Sequence, residues 1–103
     1  TDEEKLQLRK VLEGRYKAVR TFVNTHKSTA LEALPFNSGY FMSFRTIGID
    51  AEELRVKLLN EKGVGTISIN SETLRVAFSS IDEDKIETVY SLIYQTAEEL
   101  KRG

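Results

Sequence analysis

The chain has 103 residues, 40% of them hydrophobic and 30% charged, which fits one soluble globular domain with no room for a second core. Fifteen basic and sixteen acidic side chains leave a formal charge of −1, which gives no electrostatic reason to expect nucleic acid or an anionic membrane as partner. No cysteine is present, which excludes disulfides, thiolate metal sites and a thiol nucleophile and is compatible with a cytoplasmic location.

The first segment, Asp2 to Thr25, reads as a long amphipathic helix. Leu8, Val11, Leu12, Tyr16, Val19, Phe22 and Val23 recur at helical spacing and share one face. Thr1 and Glu4 are placed for a capping box. The charged opening TDEEKLQLRK is no signal peptide, and its first residue, Thr, leads us to expect a piece of a longer protein. Gly14 interrupts the helical pattern and marks either a bend or a close packing contact. A polar stretch follows the helix and ends at Leu34-Pro35, where proline excludes further helix.

Gly39 to Ile47, GYFMSFRTI, is rich in aromatic and β-preferring residues and predicts a strand. Gly48 ends it. Asp50 then caps a second helix, with Glu53 at the reciprocal position and Ile49 placed to staple onto Leu54. That helix is expected to reach about Glu61 and to stop at Gly63. Two more strands, Val64 to Ile69 and Thr73 to Ser79, are joined by the polar turn Asn70-Ser71-Glu72. A last helix starts at Asp82 and buries Ile86, Val89, Tyr90, Ile93, Ala97 and Leu100.

The order is therefore α-β-α-β-β-α, an α+β domain over residues 1–103. A right-handed crossover joins the first two strands, and the third returns antiparallel between them. This gives a three-stranded sheet of spatial order 1-3-2 with helices on one face and the other face open. In the third strand Leu74, Val76 and Phe78 point towards the helices, which puts Arg75 on the open face between small side chains. A guanidinium there suits a planar carboxylate, because its fork matches two oxygens at once. The competing reading is a surface arginine that is solvated or paired with a neighbouring acid.

Three segments in this order, NSGYFMSFR (37–45), EELRVKLLNEKGVGTISI (52–69) and TLRVAFSSI (73–81), carry a resemblance that covers nearly the whole chain. Together with the closing amphipathic helix, they resemble the C-terminal small domain of class I/II (fold-type I) pyridoxal-phosphate-dependent aminotransferases. The basic stretch from Arg9 to Arg20 resembles the segment that links the two domains in that family. The resemblance implies that Arg75 binds the α-carboxylate of an amino acid or 2-keto acid substrate. It also places Gly39, Asn37 and Tyr40 near the substrate entrance, although Tyr40 equally suits the core.

The same resemblance implies a parent enzyme that uses pyridoxal phosphate, transfers an amino group and forms a homodimer. The large domain of the same chain would hold the cofactor, and this segment alone would be inactive. No lysine here has the context of a Schiff-base lysine, and Lys57 and Lys62 fall at or near a helix end. The turn Asn70-Ser71-Glu72 is shorter than the glycine-bearing loop that many family members carry there.

The remaining polar clusters have plain readings. His26 is the only histidine and, without cysteine beside it, makes a transition-metal site improbable. Asp82-Glu83-Asp84 and Glu52-Glu53 sit at helix starts, where acids complement the dipole. Tyr40, Phe41 and Phe44 are expected in the sheet core rather than on a base-stacking platform. A free-standing binding module of the same architecture, using its open sheet face without catalysis, is the alternative to the enzyme reading.

Overall fold

The computed structural model describes residues 1–35 and 40–103. Asn37 and Gly39 lie outside the described residues. The first helix, α1 (Asp2–Thr25), begins with the expected capping box. The Glu4 amide donates to Thr1 Oγ1 at 3.2 Å, and the Thr1 amino group donates to Glu4 Oε2 at 3.1 Å. The helical face predicted from sequence divides into two parts. Val19 and Phe22 are buried in the core, whereas Leu8 and Val11 are exposed. The N-terminal half of α1 therefore projects beyond the rest of the fold, in keeping with overall dimensions of 50 × 25 × 24 Å.

A short strand, β1 (Leu31–Ala33), follows the polar stretch after α1. Next come β2 (Phe41–Thr46), the helix α2 (Ala51–Lys57), β3 (Ile67–Ile69), β4 (Thr73–Ala77) and the helix α3 (Ile86–Arg102). The sheet has four strands in the order β1-β2-β4-β3, all neighbours antiparallel. The three strands expected from sequence take the expected spatial order, and β1 adds a fourth at the edge. The three-stranded expectation is thus corrected. Three residues are too few to show a strand periodicity, and contacts outside β1 fix its place.

Those contacts come from α3. Glu98 accepts from Ser28 Oγ at 2.8 Å, from the Thr29 amide at 2.6 Å and from Thr29 Oγ1 at 2.8 Å. Lys101 donates to the Thr29 carbonyl. Ser28 Oγ in turn accepts from the amides of Ala30 and Leu31. The chain is thereby delivered to β2 in the register Leu31↔Thr46, Glu32↔Arg45, Ala33↔Phe44.

The helices cover one sheet face. Met42, Phe44, Leu74, Val76 and Phe78 meet Val19, Phe22, Leu54, Leu58, Tyr90 and Ile93 in a single core. Phe44 and Phe22 both contact the Tyr94 ring edge-on, with centroids 5.7 and 4.9 Å apart, the geometry that aromatic quadrupoles favour.

Asp50 caps α2 as expected, its Oδ1 accepting from the amides of Glu52 and Glu53 at 2.7 and 3.2 Å. The helix widens into a π-helical turn, Leu58–Lys62, and Gly63 closes it in the left-handed region at φ 68°. Asp82 makes no capping bond. A 3-10 turn, Glu83–Lys85, precedes α3, and the Asp82 carboxylate lies 3.9 Å from Arg15 and 4.0 Å from Lys85 instead.

Gly14 is a close-contact position, because a Cβ there would meet Glu83 Oε1 at 1.8 Å. The Glu83 side chain is flexible and exposed, so it can swing away. Gly14→Ala should therefore gain about 1 kcal/mol of helix propensity. Thermal melting of the chain should rise by roughly 4–8 °C. A lowered melting temperature would show that Glu83 cannot yield.

Hydrogen bonds from Thr29 and Ser28 hold the Glu98 carboxyl at about 2, below its ordinary 4.5. A depressed folded-state value stabilises above the ordinary range, and the effect fades as pH falls from 4.5 towards 2. Melting curves of the chain and of Glu98→Gln should therefore differ most above about pH 5 and converge at acid pH. A difference that does not vary with pH would contradict the role given to this carboxylate.

Candidate functional site

On β4, Leu74 and Val76 are buried beneath the helices, and alternation turns Arg75 to the helix-free face. The neighbouring strands share that face through the register Ser43↔Arg75 and Ile67↔Arg75. Phe41, paired with Ala77, lies one step along the diagonal. The face is largely uncharged around Arg75, with Ile67 56% exposed and Ala77 also exposed.

Two arginines occupy this face and differ in their partners. Arg45 reaches across to β1, where Glu32 Oε2 accepts from its Nη2 at 3.2 Å. Arg75 has no ion pair among the described residues. Its guanidinium carbon sits 4.2 Å from the centroid of the Phe41 ring, a cation–π contact. Its Nε–H is buried and has no acceptor among the described residues. A buried donor without an acceptor is costly, about 1–3 kcal/mol, and a carboxylate docked beside it would remove that cost. The surface-arginine reading with a neighbouring acid thus describes Arg45 rather than Arg75.

Phe41, like Tyr40, was expected in the sheet core and lies outside it. It is half-buried on the open face under Arg75, whereas Met42 and Phe44 enter the core. The period-two pattern of FMSFR already contained this distinction, because residues 42 and 44 cannot share a face with 41 and 43.

Tyr40 is not a core residue, being 59% exposed. Its carbonyl accepts from the amides of Phe78 and Ser79 at 3.0 and 3.3 Å, which ties the start of β2 to the end of β4. Its side chain borders a groove of about 370 Å³ that includes Leu8, Leu12 and Tyr16 of α1. Arg75 faces away from the helices, so the structure does not bring Tyr40 and Arg75 onto one surface. Asn37 and Gly39 lie outside the described residues.

The lysines considered for cofactor attachment are placed otherwise. Lys57 donates to Glu61 Oε2 at 3.1 Å and lies 4.0 Å from Glu99. Lys62 is exposed at the end of the π-helical turn. Among the described residues no group of three or more acidic, histidine or cysteine side chains could hold a metal ion, and no helix is long and apolar enough to cross a membrane.

No protein-family model matches the chain, and no curated protein matches it. Solved structures do. A kynurenine aminotransferase from Pyrococcus horikoshii, in complex with PMP, aligns with a TM-score of 0.78 and 20% identity, over 95% of this chain and 26% of its own. LysN, an α-aminoadipate aminotransferase from Thermus thermophilus complexed with N-(5'-phosphopyridoxyl)-L-leucine, aligns at 0.80 and 18% identity, over 96% and 28%. A multiple substrate aminotransferase from Thermococcus profundus aligns at 0.81 and 18% identity, over 98% and 27%. The chain spans little more than a quarter of the length of each of these enzymes. The described residues have the fold of an aminotransferase small domain.

Proposed function

We propose that this chain is the C-terminal small domain of a pyridoxal-phosphate-dependent aminotransferase and that Arg75 binds the α-carboxylate of its amino acid and 2-keto acid substrates. The observation that carries this reading is the state of Arg75. It lies on the helix-free sheet face, stacked on Phe41, with no acidic partner among the described residues and a buried Nε–H that lacks an acceptor.

The cofactor would be held by the large domain of the same chain and, when bound, would supply the electron sink for amino-group transfer. Arg75 contributes binding and orientation: its fork takes two carboxylate oxygens and fixes the substrate's α-carbon relative to the other domain. Asn37 and Gly39 would line the entrance, whereas Tyr40 borders the groove along α1 and would not. On this reading the parent is a cytoplasmic homodimer, and the segment alone is inactive. The aminotransferase fold over about a quarter of the neighbours' length supports a missing large domain, as does the exposed apolar surface at Ile67 and Ala77.

A charge-assisted hydrogen bond of this kind is worth about 1.5–3 kcal/mol. In the full-length protein, Arg75→Ala should therefore lower kcat/KM for the amino acid by roughly one to two orders of magnitude. The visible absorbance of the bound cofactor should be unchanged. An unaltered kcat/KM would remove Arg75 from the site.

A further inference from the structure

We infer that Phe41 is a positioning residue for Arg75: its ring is the shelf that fixes the plane and direction of the guanidinium, and so sets how tightly the substrate carboxylate is bound. This rests on the reading of Arg75 as the carboxylate-binding group. Ser43, not Phe41, is directly opposite Arg75 in the sheet register, so Arg75 reaches its ring partner along the diagonal. Such diagonal neighbours lie about 7–8 Å apart, a span that an arginine side chain bridges readily.

At 4.2 Å from the ring centroid, the cation is attracted to the ring's negative face without using a hydrogen-bond donor. The donors therefore stay available, in a fixed direction, for an anion on the open side of the sheet. A carboxylate partner in place of the ring would have drawn on those donors, as Glu32 draws on Nη2 of Arg45. The residue opposite Phe41, Ala77, is small and exposed and leaves the space beside the stack uncrowded. Removing the ring would let the guanidinium rotate, and ordering it again would fall on substrate binding.

The experiment is a double-mutant cycle in the full-length protein, read as KM and kcat for the amino acid substrate together with the cofactor's visible absorbance. Phe41→Leu should raise KM by about threefold to thirtyfold, the range that a cation–π contact spans. The absorbance and kcat should be little changed. Phe41→Tyr, which keeps the ring, should restore KM. In an Arg75→Ala background, Phe41→Leu should change kcat/KM by less than about twofold, because the pair no longer exists to be broken. An equal loss with and without Arg75 would show a structural effect of Phe41 and overturn the inference while leaving Arg75 in its role. An unchanged KM in Phe41→Leu would overturn it as well. An Arg75→Ala variant with unaltered kcat/KM would overturn the reading of the site and this inference together.

Discussion

The alternation of β4 is the constraint on which the rest depends. Leu74 and Val76 are buried in the core, and the pleat leaves Arg75 no option but the opposite face. A slip of one residue would bury the guanidinium and expose two aliphatic side chains, a change that costs several kcal/mol in burial alone. β4 is paired on both sides, to β2 and to β3, so its register is held by two strands at once. The position of the candidate anion-binding group is therefore fixed by hydrophobic burial on the far side of the sheet.

The second determinant is how charge is distributed over the helix-free face. Arg45 and Arg75 are both arginines of central strands, and composition cannot tell them apart. The edge strand β1 can, because it brings Glu32 to Arg45 and leaves Arg75 with an aromatic ring as its neighbour. β1 in turn is anchored by the Glu98 and Lys101 contacts to the loop preceding it. A polar network at the C-terminal end of α3 thus contributes, through a three-residue strand, to which arginine keeps its donors available.

Much of the fold was legible because its signals are local. The Thr1–Glu4 box, the Asp50 cap, the Gly63 stop and the stripe of α3 each depend on residues a few positions apart, and each stands where its chemistry predicts. What the sequence did not disclose depends on tertiary context. β1 has no periodicity of its own, and Asp82 turns from a capping position to face Arg15 and Lys85. The exposed Leu8 and Val11 continue the apolar pattern of α1 past the point where the core of this segment ends. The face of Arg75 was accessible from alternation, and the role proposed for it came from the family resemblance. Phe41 was lost because aromatic richness was read as core before the period-two pattern was applied to it. Asn37 and Gly39 fall between Pro35 and the start of β2, outside the described residues.

The central claim is that this chain is part of a larger pyridoxal-phosphate enzyme. The most direct measurement is the mass and visible absorbance of the natural protein that carries this sequence, purified with an antibody to the domain. The account predicts a polypeptide several times heavier than these 103 residues, with a pyridoxal absorbance band that shifts when amino acids are added. A colourless protein of about this size, unresponsive to pyridoxal phosphate, would contradict it and leave a free-standing binding module in its place.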